Sequence, residues 1–246
     1  MPQAAGAGHK VCIYEKNEKL GKKIYITGKG RCNVTNACDT EELFRNVVHN
    51  AKFLYSSFYT FTNTDVMDLI EKHGCLLKTE RGGRVFPVSD KSSDVIHALT
   101  VALRELGVEV ELHEEVSGVL AEDGHVSGVR LKRGQKVVPA DAVIVTTGGL
   151  SYPSTGSTGD GYRFATELGH TITELSPALV PFEAKEAVCK DLQGLSLRNI
   201  SVQIRNGKKV LYEEFGEMLF THFGVSGPVL LSASSYVAST LKKGPL

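Results

Sequence analysis

Glu15 is the first residue whose type and position suggest ligand chemistry, because it follows a short apolar run at residues 10–14. A carboxylate at the end of such a strand can accept hydrogen bonds from the two hydroxyl groups of a ribose. In dinucleotide-binding folds this acidic residue lies about 20 residues after a glycine-rich turn. No G-x-G-x-x-G motif precedes Glu15 in this sequence. On these residues alone, an ordinary surface glutamate is the favoured interpretation.

A second candidate is the loop GKGRCNVTN at residues 28–36. Gly28 and Gly30 allow backbone N–H groups to approach an anion, and Arg31 adds a delocalised charge with a fork of donors. Asn33 and Asn36 supply neutral groups that suit polyol hydroxyls or the edge of a heterocycle. The spacing is not that of a Walker A loop. A solvated Gly/Asn turn fits the loop equally well.

The third candidate is a Gly/Ser/Thr-rich segment that follows an apolar run at residues 140–146. The run predicts a buried strand of a parallel sheet, which would place residues 147–149 at the carboxyl edge, where α/β folds bind ligands. Residues 159–161 open a predicted helix whose first N–H groups favour a phosphate or a polarised carbonyl. Capping this helix is the commoner role for Asp160.

His222, beside Thr221 and near Ser226, invites a catalytic interpretation, as does Tyr152 in its Gly/Ser/Thr-rich loop. No G-x-S-x-G elbow accompanies them, so a serine hydrolase is poorly supported and a structural histidine is favoured. We assign no catalytic residue. The five cysteines are irregularly spaced without a C-x-x-C pair, and we predict no metal site.

The composition of the chain predicts which classes of partner it binds. The chain has 246 residues, 41% of them hydrophobic, which is enough for a substantial core. Lys+Arg and Asp+Glu both number 28, so no net field attracts nucleic acid or anionic lipid, and no apolar run is long enough to span a bilayer. With no secretion signal at the start, these observations predict a cytoplasmic protein with a small-molecule substrate, no nucleic-acid partner and no membrane.

The elements that would position these candidates are α-helices and strands in alternation. Apolar residues recur at helical spacing between Val95 and Leu106, and alternating runs around Asp123-Gly124 predict a β-hairpin. From about Leu192 the pattern becomes one of alternating β runs, so we place a domain boundary at 185/186.

Taken together, four segments closely resemble the BaiN/YhiN-like flavoproteins, also called NAD(P)/FAD-dependent oxidoreductases or the aminoacetone-oxidase-type FAD-binding family. The resemblance runs in the same order from about residue 8 to about residue 235. The segments are EKNEKLGKKIYITGKGRCNVTN, GGRVFPVSDKSSDVIHAL, VIVTTGGLSYPSTGSTGDGYRFATELGH and FTHFGVSGPVLL.

The resemblance implies an α/β, Rossmann-like two-dinucleotide-binding-domain flavoprotein fold. Residues 1–185 would form the FAD-binding domain, and residues 186–246 would begin an inserted β-rich domain. The cofactor would be FAD, with NAD(P)H or oxygen as the redox partner. Glu15 would hold the adenosine ribose, the 28–36 loop the pyrophosphate and flavin side, and the backbone of Val116 the adenine. The cofactor-binding residues implied are Glu15, Lys16, Gly28, Gly30, Arg31, Cys32, Asn33, Asn36, Val116, Thr147, Gly148, Gly149, Gly159, Asp160 and Gly161.

The sequence departs from that family at both ends. It lacks the first strand with its glycine-rich turn, and it stops before the inserted domain is complete. We therefore expect a fragment of a flavin-dependent oxidoreductase that binds FAD weakly and is marginally stable. The alternative is a non-catalytic nucleotide-binding or assembly module.

Overall fold

The computed structural model describes residues 2–244, which fall into two compact units. The first unit runs to Ile172 and the second begins at Thr173. The sequence placed the division later, at 185/186. The earlier division has a physical reason: the short strand Phe182–Glu183 pairs with Gly224–Ser226, which ties the segment before residue 185 to the second unit.

Nine α-helices occur within residues 2–244. They are α1 (Pro2–Gly6), α2 (Lys22–Ile26), α3 (Thr40–Arg45), α4 (Tyr55–Thr60), α5 (Asn63–Lys72), α6 (Ser92–Glu105), α7 (Asp160–Glu167), α8 (Val188–Asp191) and α9 (Pro228–Leu241).

The same residues contain twelve strands. They are β1 (Cys12–Glu15), β2 (Thr35–Asn36), β3 (Leu77–Thr79), β4 (Arg84–Pro87), β5 (Glu109–Leu112), β6 (Val116–Glu122), β7 (His125–Leu131), β8 (Val137–Pro139), β9 (Phe182–Glu183), β10 (Ser196–Asn206), β11 (Lys209–Thr221) and β12 (Gly224–Ser226).

The first unit combines three small sheets with helices, as the α/β prediction required. β1 and β5 are parallel, with Glu15 opposite Leu112, and the helices between them make the crossover that parallel pairing needs. β2, β4 and β3 form one antiparallel sheet, and β6, β7 and β8 form another. Asp123 and Gly124, both with positive φ, make the turn of the predicted β6–β7 hairpin.

The core of this unit lies between α5, α6 and the loop after α2. Ile70, Cys75, Val95 and Ala98 are each at most 4% exposed and pack with Cys32. Ile70 lies on α5, and Val95 and Ala98 lie three residues apart on α6, so one face of each helix supplies the packing. The packing fixes the position of the 28–36 loop.

The predicted strand at residues 140–146 is wrong. The segment is not part of any sheet, and Ile144 and Val145 are 56% and 46% exposed. The physical reason is pairing: β1 bonds only to β5 among the strands described, so the apolar run has no ladder partner. Thr62 caps α5, in a capping box with Asp65.

The second unit is built around a long antiparallel hairpin, β10 and β11, in a sheet of order β10-β11-β12-β9. α9 packs on β11 so closely that a Cβ on Gly216 would lie 2.6 Å from Val229 Cγ2. Val229, Leu230, Ala233 and Val237 form the buried side of α9. This arrangement agrees with the alternating pattern seen from about Leu192.

Candidate cofactor-binding site

A cavity of about 280 Å³ in the first unit brings together six of the predicted residues. They lie at the end of β1, at the start of β6, at the start of α7 and in the segment before residues 150–158, which we call the 150s loop. The six are Glu15, Lys16, Val116, Thr147, Gly148 and Asp160. The carboxyl end of a parallel strand is where α/β folds place their ligands.

Glu15 is held at the rim of this cavity by Asn17. The backbone N–H and the side-chain Nδ2 of Asn17 both donate to Glu15 Oε1, at 2.9 and 2.7 Å. Oε2 has no hydrogen-bond partner within residues 2–244, so it remains an acceptor for a ligand hydroxyl. Asn17 Nδ2 also donates to the Thr155 carbonyl at 3.1 Å, which joins β1 to the 150s loop.

Lys16 and Asp160 close another part of the cavity with a half-buried ion pair. Lys16 Nζ donates to Asp160 Oδ2 at 2.7 Å and to Thr158 Oγ1 at 2.6 Å. Burial on its own would raise the pKa of Asp160, but hydrogen bonds from Lys16 and Thr158 outweigh it and hold that pKa below its usual range. Asp160 is thus the first residue of α7 and does not cap it; Gly159, with φ 84°, occupies the cap position.

The hydroxyl of Thr147 is the clearest sign of a ligand. Thr147 Oγ1 is buried without a hydrogen-bond partner among the described residues, although it belongs to the lining. Such an orphaned group costs about 1–3 kcal/mol unless something pairs with it. Next to it, Gly148 has φ 74°, and a Cβ there would lie 2.6 Å from Ser157 Oγ. A carboxylate acceptor, an unpaired hydroxyl and a glycine-lined wall are groups that can bind the hydroxyls of a sugar.

The 28–36 loop lies outside this cavity, and Arg31 is engaged elsewhere. Its Nη2 donates to Glu80 Oε1 at 2.5 Å and to Asp90 Oδ1 at 2.6 Å, while its guanidinium lies 4.1 Å from the ring centre of Phe86. The hydrogen bonds from Arg31 lower the pKa of Glu80, and those from Lys78 and Arg31 lower the pKa of Asp90. A pyrophosphate would have to compete with two carboxylates for this side chain, so its cofactor role stays a prediction.

The amides of the loop serve the fold in a similar way. Asn36 Nδ2 donates to the Gly82 carbonyl at 2.8 Å. The Asn33 amide, with its nitrogen turned toward the carbonyls of Val85 and Thr35, can donate to them at 3.2 and 3.0 Å. Gly28 has φ 54°, and a Cβ there would lie 2.9 Å from Asn33 N, so the turn requires glycine. These contacts fix the loop against β4 and the turn that precedes it.

Cys32 points into the core rather than to solvent. It is 6% exposed, and burial raises the pKa of its thiol above the ordinary value. A protonated, buried thiol is a poor nucleophile and a poor redox centre. The packing role is therefore the one that its surroundings support.

Gly30, Gly149, Gly159 and Gly161 do not line the cavity. Gly30 belongs to the 28–36 loop, and a Cβ on Gly149 would lie 3.2 Å from the Tyr162 hydroxyl. The lining residues that the sequence did not single out as cofactor-binding are Ile13, Tyr14, Asn17, residues 21–24, Glu114, Glu115, Thr146, residues 155–157 and Phe164. The available signal was the spacing of Glu15 and Asn17, two residues apart, which lets the Glu15 carboxylate accept from both the backbone N–H and the side chain of Asn17.

Neither catalytic candidate is in the cavity. Tyr152 is 68% exposed with φ 52°, and Lys23 Nζ lies 6.0 Å from its ring centre. His222, in the second unit, is exposed and meets the ring of Phe223 edge-on at 4.9 Å. A histidine against an aromatic ring on the surface agrees with the structural interpretation.

The parallel β1–β5 pair, the helices that connect its strands and the cavity at its carboxyl end are features of a Rossmann-type α/β domain. More particularly, the family profile described as "HI0933-like protein Rossmann domain" matches residues 2–236. The chain belongs to this family of FAD-binding oxidoreductases, the BaiN/YhiN-type flavoproteins that the motifs resembled.

Three curated relatives match almost the whole chain. A 3-dehydro-bile acid delta(4,6)-reductase of Clostridium scindens is 32% identical over 96% of this chain. Ribosomal RNA dihydrouridine synthases of Escherichia coli and Haemophilus influenzae are each 30% identical over 95%. The chain spans about half the length of these relatives: 56%, 56% and 57%.

Among solved structures, a quinol-fumarate reductase with menaquinol molecules superposes with a TM-score of 0.53. The two chains are 16% identical, and the superposition covers 80% of this chain and 41% of the reductase chain. At that identity the likeness shows a shared fold and nothing further.

The expectation of no nucleic-acid partner is corrected by these comparisons. Two relatives at 30% identity are named for ribosomal RNA, so zero net charge is no ground for excluding nucleic acid. The physical reason is that net charge sums over the whole chain and hides local basic segments. Within residues 2–244, no helix is both long and apolar enough to cross a membrane.

Proposed function

We propose that this chain supplies the adenosine-binding part of an FAD-dependent reductase of activated carbon–carbon double bonds. The observation that carries the proposal is the cavity in which Glu15 Oε2 and the buried Thr147 hydroxyl both lack a partner among the described residues. Glu15 would accept hydrogen bonds from the ribose, and Thr147 would pair with a polar group of the same nucleotide. When bound, FAD supplies the two-electron chemistry.

The printed names of the relatives support this reaction class. A delta(4,6)-reductase and a dihydrouridine synthase both describe the saturation of a carbon–carbon double bond, in a steroid and in uracil respectively. Conjugation with a carbonyl makes such a bond accept a hydride at one carbon and a proton at the other. The net reaction consumes one NAD(P)H and one proton and releases NAD(P)⁺, so we propose NAD(P)H as the donor.

We infer that the first unit, up to Ile172, belongs to the FAD-binding domain and that the second unit, from Thr173, begins an inserted β-rich domain. The β1–β5 pair with its cavity supports the first assignment, and the β10–β11 hairpin supports the second. Five free cysteines suit a reducing cytoplasm.

We also propose that this chain binds FAD weakly. Pockets that enclose a drug-sized ligand are about 300–1,000 Å³. The 280 Å³ cavity lies below that range, while a flavin dinucleotide is larger than most drugs. The cavity therefore suits the adenosine end of the cofactor, and the rest of it would remain in solvent.

The test is a deletion of the encoding gene in its own organism, followed by mass spectrometry of ribosomal RNA for dihydrouridine and an assay of steroid dienone reduction. We expect one of the two activities to be lost and to return with the intact gene but not with a Glu15→Gln copy. Retention of both activities after deletion would contradict the proposal.

A further inference from the structure

The tip of the β10–β11 hairpin carries a compact group of cations, Arg205, Lys208 and Lys209. β10 ends at Asn206 and β11 begins at Lys209, so a two-residue loop connects them. Gly207 takes φ 57° in that loop, as a glycine at the first position of a tight hairpin loop does. All three cationic residues are exposed.

These charges are not neutralised by the protein. Within residues 2–244, no carboxylate lies within ion-pair distance of the three side chains. Arg205 is held in place by a neutral group, since its Nε and Nη2 donate to Gln203 Oε1 at 2.9 and 2.6 Å. Glu213 and Glu214 are the first acidic residues along β11, and Glu214 accepts a hydrogen bond from Tyr212.

At the tip, β10 and β11 pair only with each other among the described strands. β12 pairs only with residues 219–221 of β11, so the outer part of the hairpin has two strands. α9 supports it as far as Tyr212, whose ring centre lies 5.0 Å from that of Tyr236. A stiff two-stranded arm that ends in uncompensated cations is suited to contact a polyanion.

We propose that residues 205–209 form a phosphate-contacting tip for single-stranded RNA. This inference rests on the proposed function, of which it selects the RNA substrate. Cations that neutralise phosphates release counterions, so each contact adds to the salt dependence of binding. Arg205 Nη1, which has no partner within residues 2–244, can donate to a phosphate oxygen, and Lys208 and Lys209 add point charges.

The test compares the chain with the triple variant Arg205→Gln/Lys208→Gln/Lys209→Gln by fluorescence anisotropy with a labelled oligouridylate. We expect weaker binding and a slope of log Kd against log salt reduced by about 2, since each single-strand phosphate contact contributes about 0.7. A control triple variant, Lys185→Gln/Lys190→Gln/Lys243→Gln, removes the same charge from exposed sites of the same unit and should leave the slope unchanged.

Equal slopes in the chain and the tip variant would overturn the inference. The three cationic side chains would then serve only to keep the hairpin tip solvated. Selective loss of binding to phosphatidylserine-containing vesicles, with RNA binding intact, would overturn it in favour of a lipid surface. The assay involves no flavin, so it is independent of the gene deletion. If dihydrouridine disappears on deletion while the tip variant binds RNA normally, the proposed function stands and this inference fails.

Discussion

At the scale of single residues, the cavity holds two groups whose bonding is incomplete, Glu15 and Thr147. One is an acceptor fixed by Asn17, and the other is a buried hydroxyl without a partner among the described residues. The two unpaired groups differ in how much they cost the stability of the free protein. Glu15 is solvated and costs little, whereas the Thr147 hydroxyl destabilises the fold until a ligand pairs with it.

Glu15→Gln should weaken the binding of ADP and FAD by about 10-fold to 100-fold, because hydrogen bonds to a charged acceptor contribute about 1.5–3 kcal/mol. Calorimetric titration measures this change. Glu111→Gln, on the exposed part of the neighbouring strand β5, is the matched control and should bind both ligands as the parent does. Equal affinities for the parent and Glu15→Gln would show that the Glu15 carboxylate does not contact the nucleotide.

Thr147→Val should have opposite effects on stability and on binding. Removal of the unpaired hydroxyl should raise the Tm of the free chain by a few degrees, about 2–4 °C per kcal/mol for a chain of this size, and should weaken ADP binding. Differential scanning calorimetry measures the first effect. Thr100→Val is the control, since Thr100 Oγ1 donates to the Ile96 carbonyl at 2.8 Å. Loss of this satisfied hydroxyl should not raise the Tm. A lower Tm for Thr147→Val would show that its hydroxyl is satisfied.

At the scale of elements, side-chain bridges hold the loops around the cavity and around the 28–36 loop. Lys16, after β1, is bonded to Asp160, which begins α7. Arg31 connects its loop to Glu80 and Asp90 on either side of β4. The two bridges allow different predictions, because one lines the cavity and the other does not.

Lys16→Met should lower the free energy of unfolding at neutral pH by about 1–2 kcal/mol, an intermediate value for a pair that is neither fully buried nor exposed. Since the pKa of Asp160 is lowered in the folded state, its contribution is present above its ordinary pKa of 3.8 and is lost as pH falls through the folded value. The difference between parent and variant should therefore shrink below about pH 4.

Urea unfolding at several pH values measures this difference. Lys10→Met is the control, because Lys10 and Glu109 form a pair with 83% and 53% exposed side chains and should contribute little. A difference for Lys16→Met that stays constant down to pH 2 would contradict the role of the ion pair.

Arg31→Lys separates the structural role from the cofactor role. A lysine cannot bridge two carboxylates with the same fork, so the urea midpoint should fall. ADP binding should remain unchanged, because Arg31 is outside the cavity. A large loss of ADP or FAD affinity with an unchanged midpoint would instead restore the pyrophosphate role that the loop sequence suggested.

The sequence predicted what depends on local patterns. The helix α6, the β6–β7 hairpin and Glu15 at the end of β1 follow from periodicity, turn residues and strand length. It failed where long-range pairing decides the outcome: residues 140–146 have an apolar pattern but no strand beside them. The partners of Arg31 could not be predicted from the sequence either, because Glu80 and Asp90 come close to Arg31 only once β3 and β4 have folded back.

At the scale of the whole molecule, a Rossmann-type first unit is followed along the chain by a second unit built on a long hairpin. Family membership and the parallel pair support a flavin-dependent oxidoreductase. The relatives' names divide between a steroid and RNA, so the binding measurements at the hairpin tip address the substrate, whereas those at the cavity address the cofactor.

The most direct test of the central claim is competition between nucleotides for this chain. Binding of FAD, followed by its fluorescence, should be displaced by ADP and should not be displaced by FMN, because the cavity recognises the adenosine ribose. Displacement by FMN alone, with no effect of ADP, would contradict the account, since it would place the recognised part of the cofactor at the flavin end.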